Sequence, residues 1–113
     1  MALGKHPERL AWEPFREGVT IHRLHGGQDG GPAAALLRYA PGASVPRHEH
    51  TGWEYLLVLS GAQEDERGTY ERGAFTINAP GTRHDVRSPH GCIVLAIWEK
   101  PVRFVVEGEA RND

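Results

Sequence analysis

"RHEHTGWEYLLVLSG", Arg47 to Gly61, sets two histidines two positions apart, a glutamate four further on, and then an unbroken apolar run. In extended chain, successive side chains point to opposite faces. His48, His50, Glu54, Leu56 and Val58 share one parity, so a continuous strand aims all five to one side and Tyr55, Leu57 and Leu59 to the other. The turn residues Thr51-Gly52 interrupt that register, so parity ties His48 to His50 more closely than either to Glu54. If this face lines a barrel, two imidazoles and a carboxylate meet at its open end, above a floor of Leu56 and Val58.

The remainder of the chain reads as the barrel. Fourteen glycines and eight prolines punctuate it at short intervals, among them Gly26-Gly27, Gly30-Gly31-Pro32, Pro41-Gly42 and Pro80-Gly81. Between these marks lie short apolar or alternating segments, the pattern of strands joined by turns. Strands are predicted near Val19–Leu24, Ala34–Ala40, Tyr55–Leu59, Ala62–Asp65, Ala74–Ile77, Cys92–Trp98 and Val102–Val106. No window keeps helical spacing over three turns without a glycine or proline. The predicted class is therefore all-β, a small sandwich or barrel. A length of 113 residues suits one domain with one core, divided into an N-terminal extension over 1–18, a barrel core over 19–106 and a C-terminal tail over 107–113. "LHGGQDGGP", Leu24–Pro32, is predicted as a surface loop. It fails the GxGxxG phosphate-loop spacing because Gln28 stands where a glycine is needed.

A hydrophobic share of 39% and a charged share of 25% describe an ordinary globule rather than a disordered chain. The net charge of -2 and the absence of any Lys/Arg run argue against nucleic acid and anionic membranes as partners. The opening "MALGKHPERLAW" holds no apolar stretch long enough for a signal peptide or a transmembrane helix. The single cysteine, Cys92, permits no internal disulfide. Together these features predict a cytoplasmic protein.

Burying a carboxylate among apolar side chains is costly unless a cation compensates it. A divalent metal does so, and imidazole with carboxylate suits zinc, iron, manganese, nickel or copper. "APGTRH", Ala79–His84, supplies His84 as a candidate fourth ligand just beyond a Pro-Gly turn, at the end of the strand "AFTIN". A lone "HEH" also reads as a solvated polar cluster; Glu54, the apolar run and His84 tip the balance to a metal site. The helical zinc motif HExxH is excluded, because Gly52 occupies the place of its second histidine.

These residues resemble the cupin superfamily. Gly42-ASVPR-His48-Glu49-His50-TGW-Glu54-YLLVLS-Gly61 matches the first cupin motif, G-x5-H-x-H-x3-E-x6-G, at every fixed position. Gly73 to His84 is similar to the second, G-x5-P-x-G-x2-H, except that Ala79 takes the proline position with Pro80 following. Ser88 stands where that motif usually ends in Asn. The stretch from about Trp12 to Trp98 resembles the ChrR-type cupin, the C-terminal domain of certain anti-sigma factors, and its stand-alone relatives, some dioxygenase-like. The resemblance implies a double-stranded β-helix (jelly-roll, RmlC-like) barrel with His48, His50, Glu54 and His84 as metal ligands and zinc or iron as occupant. In the anti-sigma factors a separate zinc-bearing N-terminal domain grips the sigma factor. This chain has no room for it, so sigma-factor binding is not implied.

Other residues invite lesser readings. Trp53 has parity opposite to the ligands and is assigned to the outer face or a subunit contact, and Glu49 likewise points outward. Arg47, Arg83 and Arg87 are either rim charges or a clamp for an acidic substrate. One of Arg38 and Tyr39 faces the barrel interior, and the following turn hides which. His22, His25 and His90 are assigned to structure or surface, and Cys92 to a buried thiol. The strand "CIVLAIW" is apolar on both faces, which predicts a second layer supplied by a homodimer. Two functions remain open: a metal-bound sensor or small-molecule-binding module without an anti-sigma domain, and a metal-dependent dioxygenase or related enzyme acting on a small oxygen-bearing substrate.

Overall fold

The computed structural model describes residues 6–105. Apart from a single 3-10 turn over Pro7–Arg9, every regular element is a strand. These are β1 (Glu13–Arg16), β2 (Val19–Gly26), β3 (Ala33–Tyr39), β4 (Ala43–Glu49), β5 (Glu54–Asp65), β6 (Gly68–Glu71), β7 (Phe75–Asn78), β8 (Arg83–Ser88), β9 (Cys92–Trp98) and β10 (Arg103–Phe104). All pairings are antiparallel, in the order β1-β2-β3-β9-β5-β8-β4-β10, with β6 and β7 also paired to β5. The all-β jelly-roll expected from the sequence is the fold observed.

β5 makes the curl. Its first part, Glu54–Gly61, is bonded to β9 and β7, and its last part, Ala62–Asp65, to β6 and β8. The strand turns from one sheet to the other at a bulge between Val58 and Ser60, which is how barrels close at their corners. Gly61 follows with φ +71, and a Cβ there would collide with the Gly91 carbonyl oxygen. Only glycine lets β9 approach so closely with that backbone.

The core lies between the two sheets. Val19 and Ile21 of β2, Ala35, Leu37 and Tyr39 of β3, Leu56 and Val58 of β5, Val86 of β8, and Val94 and Ala96 of β9 form one buried cluster. Alternation along each strand selects these residues, as a half-buried sheet requires.

Several sequence boundaries are corrected. The segments expected as separate strands at Tyr55–Leu59 and Ala62–Asp65 are one 12-residue strand, β5. β4, β6 and β8 escape a reading based on apolar alternation, because Pro46, short length and charged outward residues break their pattern. β1, within the segment expected as an N-terminal extension, pairs with β2. β2 runs on to Gly26, so the Leu24–Pro32 loop starts later than expected. The last predicted strand shrinks to Arg103–Phe104; Val106 and the tail over 107–113 lie outside the described residues. β9 is not buried on both faces: Ile93 and Leu95 are half-covered and Ile97 is exposed.

Candidate metal centre

His48 of β4 and His84 of β8 are direct cross-strand partners, so the pleat alone sets their rings side by side, with centroids 4.6 Å apart. His84 therefore sits within β8, one strand later than the "AFTIN" segment whose end it was expected to mark. His50 follows the end of β4. Its backbone N–H donates to the Thr82 carbonyl and its carbonyl accepts from Gly81 N–H, which pins it against the Pro80-Gly81 turn. One donor nitrogen from each of the three imidazoles lies within 4.8 Å of the other two. All three residues are buried.

The hydrogen bonds fix which nitrogen faces inward. His48 Nδ1 donates to the Pro46 carbonyl at 2.9 Å. His50 Nδ1 donates to the Thr82 carbonyl at 3.1 Å, with Thr82 Oγ1 3.0 Å away. His84 Nδ1 donates to Asp65 Oδ2 at 3.0 Å. Carbonyl and carboxylate oxygens only accept, so each Nδ1 carries the hydrogen and each Nε2 is left with its lone pair. The Nε2 atoms of His50 and His84 are buried with no hydrogen-bond partner among the described residues, a costly state for polar atoms.

Glu54 opens β5 beside them. Its Oε1 lies 3.2 Å from His50 Nε2, yet the two are not aligned as donor and acceptor, since His50 Nε2 has no hydrogen-bond partner. Two atoms bound to one ion at first-row metal distances sit about 3 Å apart, lone pairs converging rather than pointing at each other. Asn78 Nδ2 donates to the same Oε1 at 3.1 Å and holds the carboxylate in place. The donors thus fit a transition-metal ion: three imidazoles close together, two with orphaned nitrogens, and an oriented carboxylate next to them.

Electrostatics favour the same chemistry. Burial, reinforced by the neighbouring imidazoles, pulls His48 down from 6.5 to about 4. Burial also lowers His84 despite the bond to Asp65. Both rings are neutral at physiological pH, as metal ligands must be. Burial pushes the Glu54 carboxyl up, and the Asn78 donor works against it by favouring the charged form.

Residues 2–103 match the family described as the ChrR cupin-like domain. The chain belongs to this family. It is 35% identical over 105 residues to the anti-sigma-E factor ChrR of Cereibacter sphaeroides, an alignment covering 90% of this chain and 48% of ChrR. This ChrR-type cupin thus spans about half the length of the curated relative it matches. Among solved structures it is similar to Rhodobacter sphaeroides SigE in complex with the anti-sigma ChrR, at 32% identity and a TM-score of 0.76, covering 86% of this chain and 54% of that one. It shares the fold of an acetylacetone dioxygenase from Acinetobacter johnsonii, with a TM-score of 0.78 and 19% identity over 90% of this chain and 76% of that one.

Beside the imidazoles the cupin barrel encloses a cavity of about 190 Å³ whose lining includes His48, Glu54, His84, Leu37, Leu56 and Val86. Tyr39, not Arg38, faces it: Tyr39 lines the wall, while Arg38 donates outside the barrel to Thr20 Oγ1 and lies over the Trp12 ring. None of the three arginines weighed as clamps belongs to the lining. Arg83 pairs with Glu49, Arg87 with Glu64, and Arg47 lies near Glu66 and Asp85. Glu49 does point outward, Trp53 is exposed, and Cys92 is buried with its thiol raised by that burial. His22 caps the Ala11 carbonyl, and His25 and His90 are exposed.

Two groups at this site escape the sequence reading. Asp65 is 7% exposed and orients His84, while its Oδ1 accepts from Arg67 N–H and Tyr70 O–H. Gln63, on the same strand, lines the cavity.

Proposed function

We propose that this cupin holds one divalent transition-metal ion on His48, His50, Glu54 and His84 and works as a metal-centred module that senses or binds a small molecule. Zinc or iron best suits three imidazoles and a carboxylate; manganese, nickel and copper share the donor preference. The observation that carries the reading is the tautomer pattern, in which every Nδ1–H is spent on an oxygen acceptor and the buried Nε2 atoms of His50 and His84 are left unpaired. A bound metal supplies a Lewis-acid centre and ties β4, β5 and β8 together at the barrel mouth. Loss of the ion removes that tie and loosens the mouth, which is a signal a partner can read.

A second reading, a metal-dependent dioxygenase acting on a small oxygen-bearing molecule, is favoured by one feature. The cavity reaches His48, Glu54 and His84 directly, so a small molecule can approach the donor set. The chain's own contribution is then a dry, apolar chamber that excludes water from the reacting groups.

The anti-sigma activity named for ChrR belongs to that longer protein, of which this chain spans about half. We also infer a homodimer through the outer face of β5, β7 and β9, where Phe75 and Ile77 are 59% and 54% exposed and Ile97 adds a third apolar side chain. Among the described residues no helix is long and apolar enough to cross a membrane, and a cytoplasmic location remains part of this proposal.

Metal analysis of native protein, with X-ray absorption to count ligands, tests the reading. Four protein donors closing a zinc favour the sensor; a six-coordinate iron with exchangeable waters favours the enzyme. His50→Ala is expected to lower both metal content and melting temperature. Unchanged metal stoichiometry in that variant refutes the ligand assignment.

A further inference from the structure

The cavity carries a second set of polar groups that the metal reading leaves unused. At its mouth two cations flank one ring: the Arg16 and Arg23 guanidinium carbons lie 4.8 and 6.0 Å from the Phe15 centroid. Arg16 also stacks on Phe104 at 4.1 Å, so two phenyl rings hold its plane. Neither arginine is ion-paired with an acidic side chain among the described residues, whereas Arg47, Arg83, Arg87 and Arg103 all are.

Deeper in the wall stand Tyr39 and Gln63. Tyr39, Gln63 and Arg16 all line this one cavity, and the Tyr39 phenol interacts with both of the others. Burial pushes the Tyr39 phenol up, with Cys92 and Glu54 adding to it, which keeps a hydroxyl hydrogen available. Gln63 is 4% exposed and its Nε2 has no hydrogen-bond partner among the described residues. A buried amide N–H left unmet is expensive unless something in the cavity accepts from it.

We propose that the cavity binds a small carboxylate with a compact apolar body, its anion met by Arg16, Tyr39 and the Gln63 amide, and its body packed on Leu37, Leu56 and Val86. The guanidinium fork matches a carboxylate bidentately, and the unmet donors set the polarity of the ligand. The aliphatic walls demand an apolar body. Glu54, which lines the same cavity, disfavours a dianion, so phosphate is the wrong charge. Size is set by volume: a cavity of about 150 Å³ lined by apolar side chains takes benzene, so 190 Å³ admits benzoate or a branched short-chain acid. The proposal leans on the metal reading only through Glu54, whose charge repels an anion until a cation compensates it.

The test is isothermal titration of the full chain, zinc-loaded, with metal content measured on every sample. Benzoate and isobutyrate are the probes, and benzamide and inorganic phosphate are the neutral and dianionic controls. At least one carboxylate is expected to bind about tenfold more tightly than either control, and Arg16→Gln to weaken it about tenfold. Arg16→Lys restores part of that loss, while Arg38→Gln, on the outer face, changes nothing. Zinc content stays at the wild-type level in all three. Controls that bind as tightly as the carboxylates, no carboxylate binding at about 10 mM, or an unaffected Arg16→Gln overturn the proposal. A wild-type chain that retains no zinc ends the metal reading instead. The same Arg16→Gln comparison, made in that metal-free protein with Glu54→Gln to remove the uncompensated charge, then decides the carboxylate site.

Discussion

Replacing Asp65 with Asn isolates the group that aims His84. In the native site Oδ2 accepts the His84 Nδ1–H at 3.0 Å, while Oδ1 accepts Arg67 N–H at 2.8 Å and Tyr70 O–H at 3.1 Å. All three partners are donors. An asparagine that keeps Oδ1 on Arg67 and Tyr70 turns its NH2 toward His84 Nδ1–H, donor against donor. The ring then shifts its hydrogen to Nε2 and loses the lone pair a metal needs. An asparagine rotated the other way serves His84 but faces two donors with its own. Either orientation forfeits a charge-assisted bond worth about 1.5–3 kcal/mol, which corresponds to the 10–100-fold losses of metal affinity typical of outer-shell partners. Zinc affinity measured by competition with a chromophoric chelator is therefore expected to fall by about 10–100-fold. Tyr70→Phe supplies the control. It removes one bond to Asp65 but leaves the His84 contact, so its affinity is expected to stay within about threefold of wild type. Wild-type zinc affinity in Asp65→Asn, or an equal loss in Tyr70→Phe, refutes the argument that Asp65 acts by orienting His84.

Metal-free protein should lose stability in acid earlier than carboxylate titration alone dictates. His48 falls from 6.5 to about 4 on folding, so the unfolded chain binds the proton first; stability is full above about 6.5 and drops by about 3 kcal/mol as pH falls toward 4. The lowered His84 acts with the same sign, and chemical denaturation between pH 7 and 4 that finds a flat profile contradicts both. Gly61→Ala places a Cβ on the Gly91 carbonyl oxygen at φ +71 and should cost at least about 2 kcal/mol in thermal unfolding; a loss below half of that means β9 can yield. Ile77→Lys charges the exposed face of β7 and should convert a dimer to a monomer in light scattering at micromolar concentration. A wild-type protein that is already monomeric there removes the dimer.

The fold was legible wherever alternation and glycine placement were undisturbed. "CIVLAIW" is β9 as read, Cys92–Trp98, and the strand predicted at Ala74–Ile77 differs from β7 by one residue at each end. β8 was hidden because "RHDVRS" buries His84, Val86 and Ser88 but turns charged Arg83, Asp85 and Arg87 outward, so hydropathy averages to nothing. β4 carries Pro46 in its middle, which normally argues against a strand. Here it falls at a bulge between Val45 and His48, one of the few places a sheet tolerates it.

That same device explains what the parity argument could and could not reach at the site. On β4 the buried residues are Val45 and then His48, a change from odd to even across the bulge. Because His48, His50 and Glu54 all lie beyond it, their shared parity survived and gathered them correctly. On β5 the inward residues are Glu54, Leu56 and Val58, but the bulge before Ser60 adds one residue and turns Gln63 and Asp65 inward instead of Ala62 and Glu64. Continuing the even register past Val58 therefore puts Glu64 in the barrel and Asp65 outside, the reverse of what occurs. Arg23 did carry a usable signal, since it shares parity with Val19 and Ile21 on β2; nothing in the local pattern marks Arg16. The candidate ligands His48, His50 and Glu54 are thus readable from one register, whereas the residues that orient His84 and line the cavity depend on where two single-residue insertions fall. A one-residue deletion at Leu59 tests this directly. It removes the inserted residue and restores simple alternation, which still turns Gln63 and Asp65 inward, so zinc binding should survive. Deleting Ala62 instead, beyond the bulge, moves both residues out of phase and should abolish it; a Leu59 deletion that loses zinc while the Ala62 deletion keeps it refutes this reading of the bulge.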